Sequence, residues 1–211
     1  MTNVLILGAS GQIAGHVVAA LAGDSTISAT LFVRDRSKLA DLDTTGTRII
    51  EGDVASQDEL RAALVGQDIV YANLAGPMDK LAASIIAAMQ ATGVRRLIFI
   101  TSLGIYDEVP GRFGQWNNRQ LGSYLPPYRR AADLIEASGL DYTILRPAWL
   151  TDADEVDYET TERGEPFKGT EVSRRSVAAL VVAIIRNPAM ASRGNLGVDK
   201  PGTDGDKPSF Y

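Results

Sequence analysis

The chain of 211 residues contains no cysteine and a single histidine, His16. The first absence excludes disulfides, thiolate metal centres and cysteine nucleophiles. The second leaves too few imidazoles for a His-rich metal site, and a Ser-His-Asp triad would need His16 as its base. Long apolar runs are missing too. A stretch such as Ala178 to Ile185 falls well short of the roughly 20 residues a membrane span needs. The first apolar run begins at Val4 and passes directly into a glycine loop, with no basic-then-apolar leader before it. These absences lead us to expect a cytoplasmic protein with no membrane partner. Positive charge is also scarce. Lys and Arg number 21 against 26 Asp and Glu, a net charge of -5, which excludes the clustered cations of nonspecific nucleic-acid binding.

Hydrophobic residues at 45% and charged residues at 22% are ordinary for a domain with a real core. Short apolar runs alternate with amphipathic stretches. Asn3 to Leu7, Ala29 to Val33, Thr47 to Glu51, Asp68 to Asn73, Arg95 to Thr101 and Tyr142 to Arg146 read as strands. Gln12 to Leu21, Gln57 to Val65, Met78 to Thr92 and Ser123 to Ala137 read as helices. Continuous apolar strands separated by helices call for a mostly parallel, doubly wound α/β sheet, Rossmann-like, with helices on both faces and right-handed crossovers. The whole chain, 1–211, is expected to form one domain. Its core is 1–150, and 151–211 is a small C-terminal appendage on the substrate side. Asp107 to Leu121 reads as a long loop carrying Phe113 and Trp116, and loops of that length often serve as lids. Thr151 to Thr170 is polar and turn-rich. Ser173 is placed to cap a last helix that runs to about Asn187, before Pro188. Asn195 to Val198 suits a final strand, and the tail beyond Lys200 is expected to drape over the surface.

The strongest chemical signal is Val4-Leu5-Ile6-Leu7-Gly8-Ala9-Ser10-Gly11-Gln12-Ile13-Ala14-Gly15, a strand that turns tightly into a helix. Gly8 permits the turn, Gly11 removes a side chain that would block a pyrophosphate, and Ala14 lets the helix approach the sheet. The helix N-terminus then offers free N–H groups and a partial positive charge to phosphates. His16, one turn into this helix, reads as a plain helix residue. Arg34 follows the second strand, where an NAD site usually holds an acid for the ribose 2′-hydroxyl. An arginine there suits the 2′-phosphate of NADP(H), so NADP(H) is expected before NAD(H). The alternative is a solvated basic turn balanced by Asp35. Asp53 and Val54 close the third strand, and Asn73, Leu74, Ala75 and Gly76 the fourth. Both loops lie at carboxyl ends, where such sheets bind ligands, although Asp and Asn also favour turns in their own right.

Gly8-Ala9-Ser10-Gly11, Val33-Arg34-Asp35, Gly52-Asp53-Val54, Ile100-Thr101-Ser102 and Ser138-Gly139-Leu140-Asp141-Tyr142-Thr143-Ile144-Leu145-Arg146-Pro147 occur in that order. Together they resemble the atypical short-chain dehydrogenase/reductases of the NAD(P)H-binding, NmrA-like subgroup, a branch that includes flavin and biliverdin-IXβ reductases. The likeness covers roughly the first 150 residues and extends loosely through Glu171-Val172-Ser173-Arg174. It implies Ser102 as the serine that bonds a substrate carbonyl, with Thr101 beside it at the cofactor. It implies Tyr124 as general acid, and Pro147, Ala148 and Trp149 at the nicotinamide. The lysine that usually follows the tyrosine by four residues is replaced by Tyr128, and Arg129 or Arg130 could supply a charge instead. Trp149, Tyr106, Phe113 and Trp116 read either as an aromatic wall for a planar acceptor or as core filling. The resulting expectation is an NADPH-dependent oxidoreductase passing hydride to a small planar or carbonyl acceptor, as a monomer or a homodimer. The alternative is a non-catalytic, NADP(H)-binding redox sensor of NmrA type. A sugar-nucleotide epimerase fits less well, because it calls for the tyrosine–lysine pair and a larger C-terminal domain.

Overall fold

Alternation along the first strand decides the two faces of the sheet. In the computed structural model, which describes residues 1–211, Val4 and Ile6 of β1 (Thr2–Leu7) enter one buried cluster, and Leu5 and Leu7 enter another. A period of two leaves no other outcome for a strand that is apolar on both faces. β2 (Ile27–Val33), β3 (Arg48–Glu51), β4 (Ile69–Ala72), β5 (Arg96–Ile100) and β6 (Asp141–Pro147) complete the early strands. With β8 (Glu159–Thr161) and β10 (Gly194–Asp199) they form one sheet in the order β3-β2-β1-β4-β5-β6-β10-β8. Every neighbouring pair is parallel except β8 on β10. The order reverses between β1 and β4, which opens the crevice where ligands of such sheets bind.

Six helices cover the sheet. α1 (Gln12–Leu21) and α6 (Arg174–Arg186) pack together on one face, and α2 (Gln57–Leu64), α3 (Met78–Thr92) and α5 (Leu125–Ala137) on the other. Ser173 caps α6 as its spacing suggests, accepting a bond from the Ser176 amide. Residues beyond 150 belong to this architecture: β10 pairs with β6, and α6 buries eight residues. The turn-rich stretch contains β8 and leads to β9 (Glu171–Ser173), which pairs in parallel with β7 (Trp149–Thr151) in a second, two-stranded sheet.

Two sequence expectations are corrected. Asp107 to Leu121 is not an open loop, because Gly111–Leu121 is a helix, α4. Its buried face is Phe113, Gly114 and Asn117, a helical spacing hidden among helix-disfavouring glycines and asparagines. Gly114 is required there, since a Cβ would strike the Val109 carbonyl oxygen. The tail beyond Lys200 is also not simply draped. Pro208 is buried, and the Ser209 amide and hydroxyl both donate to the Glu171 carboxylate, at 2.6 and 2.9 Å. This clamp lays Tyr211 against Trp116 and Trp149, with Phe210 against Tyr211.

Asp199, at the end of β10, is fully buried, and one carboxylate oxygen accepts only the Gly169 amide, at 2.8 Å. Its other oxygen has no partner. Its pKa is raised to about 6, chiefly by burial, with Glu159 and Asp204 adding to the rise and the Gly169 bond and Lys168 opposing it. The folded carboxyl therefore holds its proton at a pH where the unfolded one does not. Its stabilising share is complete below about pH 4 and is lost as pH rises through about 6. Asp199→Asn should accordingly be more stable than wild type above pH 7, by on the order of 1–3 kcal/mol, with the difference shrinking toward pH 4. Urea melts of the two proteins across that range measure it.

Candidate cofactor and acceptor site

The crevice starts at the turn after β1. Gly8 has φ +75°, a left-handed conformation, and a Cβ there would collide with the Asn73 carbonyl oxygen at the end of β4. Gly11 is extended, and a Cβ on it would press into the Asn73 side-chain amide. The second glycine thus makes room for a neighbouring side chain of the protein as well as for a ligand. Ala9 is buried, Ser10 and Gln12 are exposed, and Ile13 and Ala14 pack inward from α1. No side chain caps α1, and its first turn carries no acid. Its amides and positive dipole end are therefore available to a phosphate.

Around this turn the strand ends gather the other expected residues. Arg34 is exposed and makes no hydrogen bond or ion pair with the protein. Asp35, the acid that could have favoured NAD, accepts the Ser37 hydroxyl at 2.6 Å and the Ser37 amide at 2.9 Å on Oδ1, which leaves Oδ2 open. These bonds hold its pKa below the usual carboxylate range. Asp53 accepts the Ala55 amide with one oxygen, which leaves the other open. Val54 is buried, and its carbonyl accepts from Ser84 on α3. Asn73 and Leu74 are half-buried, while Ala75 and Gly76 are exposed at the mouth of the crevice.

Beyond β5 and β6 lies a cavity of about 380 Å³. It brings together Thr101, Ser102, Pro147, Ala148 and Trp149, all expected, with Leu121, Arg174, Phe210 and Tyr211. Thr101 is buried, and its hydroxyl donates to the Leu145 carbonyl, so its contribution is to fix the strand end. The Ser102 hydroxyl is half-buried and makes only a 3.2 Å bond to the next residue's carbonyl, which leaves it able to turn toward a ligand. Trp149 donates from its ring nitrogen to Asn117 of α4 at 2.9 Å. Its ring centroid lies 4.8 Å from that of Trp116 and 5.1 Å from that of Tyr211, and Phe113 stacks behind Trp116.

Other expected residues lie elsewhere. Tyr124 sits at the N-terminal end of α5, is 67% exposed, and does not line the cavity with Ser102. Tyr128 packs against the core under α5, where burial pushes its phenol pKa up. Arg129 bonds Asp133 and the Ile105 carbonyl, and Arg130 bonds Asp79, so both are engaged away from the cavity. Tyr106 does not join the aromatic wall. It stands between Arg129 and Arg163, each guanidinium about 4.5 Å from its ring, and its hydroxyl accepts from Asn195. His16 is exposed on the outer face of α1. The reading of the sequence missed Arg174, Phe210 and Tyr211 at the site. An aromatic pair in the tail and a cation at the first position of a helix were the available signals.

The two glycines separate loop geometry from ligand binding. Gly8→Ala is expected to destabilise the fold by about 2 kcal/mol or more, because a strained φ meets immovable backbone. Gly11→Ala meets chiefly the movable Asn73 side chain, with the Gly8 carbonyl oxygen 3.2 Å away, and has no positive φ to strain, so it should melt within a few degrees of wild type. It should nevertheless weaken NAD(P)H binding about tenfold or more, by crowding the phosphate turn. Thermal melts with and without nucleotide, and a nucleotide titration, check both.

Comparison with known proteins agrees with this geometry. Residues 8–188 match the NAD(P)H-binding family. A Rossmann-fold NAD(P)-binding family protein from Shigella flexneri is 55% identical over the full length of both chains, with a TM-score of 0.87. A short-chain dehydrogenase/reductase from Veillonella parvula, solved in complex with NADP, is 31% identical over 99% of each chain, with a TM-score of 0.89. Among curated relatives, an uncharacterised sugar epimerase of Bacillus subtilis is 29% identical, covering 86% of each chain. An NAD(P)H azoreductase of Xenophilus azovorans is 24% identical, covering 88% of this chain and 64% of that protein. No helix here is long and apolar enough to cross a membrane. The chain belongs to the NAD(P)H-binding family of Rossmann-fold oxidoreductases, among the short-chain dehydrogenase/reductase-like members.

Proposed function

We propose that the protein is an NADPH-dependent reductase of a small planar acceptor, such as a quinone, flavin or azo compound. The observation that carries this reading is the cavity of about 380 Å³ at the ends of β5 and β6, which Ser102, Trp149 and Tyr211 line together. NADPH, when bound, supplies a hydride. The protein's part is to hold the dinucleotide along the strand ends, with the α1 amides on its phosphates and Arg34 toward the 2′-phosphate. Pro147 and Ala148 form the floor beside the nicotinamide, and the Trp116–Trp149–Tyr211 rings stack a flat acceptor and keep water from it. Ser102 donates a hydrogen bond to an acceptor oxygen or nitrogen, favouring the negative charge that develops there. A quinone, flavin or azo acceptor can take its proton from solvent, so the reading does not depend on a tyrosine–lysine pair. The NADP bound to the Veillonella relative and the azoreductase activity named for the Xenophilus relative support it.

Tyr128 in place of the usual lysine favours a second reading, a nucleotide-binding redox sensor without turnover. Steady NADPH oxidation against a panel of quinones, flavins and azo dyes separates the two. Turnover with at least one acceptor is expected, and its absence alongside tight NADPH binding supports the sensor. Within the reductase reading, Ser102→Ala should lower kcat about tenfold, as loss of one hydrogen bond to a developing charge does. Because Tyr124 lies outside the cavity lining, Tyr124→Phe should change kcat less than about twofold, the scale of a surface substitution. Arg34→Ala should remove most of the preference for NADPH over NADH.

A further inference from the structure

We infer that Arg174 anchors an anionic group on the acceptor, so that the preferred substrates are planar aromatic molecules carrying a carboxylate or sulfonate. This inference rests on the reductase reading for the word substrate, but the binding it describes does not. Arg174 is the one charged side chain among the residues that line the cavity. Its side chain is only 19% exposed, and it lines the same cavity as Trp149 and Tyr211, the rings that would hold a flat molecule. Only its Nη1 is used by the protein, donating to Asp152 Oδ1 at 2.8 Å and to the Leu150 carbonyl at 3.5 Å. A guanidinium carries five N–H donors in a fork that matches a carboxylate or sulfonate. The Nε and Nη2 donors have no protein acceptor.

The competing partner is weak. Asp152 is 76% exposed, and an ion pair that open to water contributes at most about 1 kcal/mol. A ligand anion can therefore take its place without leaving a buried charge unpaired. Local helix energetics give no reason for the arginine either. Arg174 and Arg175 begin α6, whose first turn contains no acid, so two cations stand at the positive end of the helix. That arrangement costs the helix stability and adds to the attraction felt by an anion at the same place. The protein as a whole carries a net charge of -5, so affinity for anions at this point is local.

The surroundings also determine where the charge must sit. On the other side of Phe210 is a second cavity, about 460 Å³, lined by Asp152, Glu155 and Glu171 with one cation, Lys200. Lys200 is already bound to both oxygens of Glu155, at 2.7 and 2.9 Å. A second anion directed that way would meet three carboxylates and no free cation. The acceptor thus carries its charge on the Arg174 side and an uncharged edge toward Phe210.

The chain has two tryptophans: Trp149 lines the cavity and Trp116 packs against it with ring centroids 4.8 Å apart, so intrinsic fluorescence reports occupancy without any turnover. The probes are anthraquinone-2-sulfonate and the uncharged 2-(hydroxymethyl)anthraquinone, titrated into the NADP⁺-loaded protein. The sulfonate is expected to bind at least tenfold more tightly than the neutral quinone. Arg174→Gln should abolish that difference while keeping NADP⁺ affinity, and Arg174→Lys should retain part of it. Asp152→Asn, which frees the guanidinium, should increase it. Equal affinities in wild type, or a preference that survives in Arg174→Gln, overturns the inference. NADPH oxidation with the same two quinones keeps the outcomes apart. Charge-selective binding without NADPH oxidation leaves the anchor standing and removes the reductase reading, whereas reduction of both quinones with equal KM does the reverse.

Discussion

The site depends on the closeness of two strand ends. The turn after β1 passes so near the end of β4 that neither Gly8 nor Gly11 can carry a Cβ without meeting Asn73. That contact seats α1 with its uncapped N-terminus directed over the crevice where the strand order reverses. A side chain at either position would lift the helix from the sheet or push Asn73 into the ligand's path. The position of the uncapped amides and of the positive dipole end is a consequence of one close approach. Arg34 and Asp53 then take their places because β2 and β3 lie next in register, with Val33 opposite Glu51.

A second constraint builds the acceptor side. Arg146 of β6 and Glu108 after β5 form a buried ion pair, their side chains 1% and 5% exposed. Glu108 also accepts the Gly104 and Tyr106 amides, and Arg146 donates to Asn195 on β10. A pair so enclosed is costly to break, because either partner alone is left as a buried charge. It pins the segment leading into α4, and α4 brings Trp116 to the cavity and Asn117 to the indole of Trp149. The aromatic wall is therefore held by a polar network some distance behind it. The tail completes the wall through the Glu171–Ser209 clamp.

Local periodicity made most of the frame legible. Strands β1 to β6 and helices α1, α2, α3, α5 and α6 follow from runs and spacings in the sequence, and so does the glycine turn between β1 and α1. What escaped depends on distant partners. α4 is rich in residues that disfavour helices and is stabilised by Phe113 and Asn117 packing inward, which no local rule reveals. Tyr106 looked like one more cavity aromatic until Arg129 and Arg163 were found on its two sides. Tyr211 reaches Trp149 only because a carboxylate far back in the sequence holds the tail. Asp35 stands next to Arg34 in sequence, but one oxygen of its carboxylate is turned into the Ser37 cap, a local bond the sequence does not announce.

The central claim is that one continuous crest, from the β1 turn to the cavity beside Trp149, holds a dinucleotide with its nicotinamide facing the aromatic wall. A crystal structure of the protein soaked with NADP⁺ tests it most directly. The account predicts the pyrophosphate on the α1 amides, the 2′-phosphate within reach of Arg34, and the nicotinamide between Pro147–Ala148 and the Ser102 hydroxyl. A nicotinamide ring pointing away from the Trp149 cavity, or an adenosine end remote from Arg34, would contradict it.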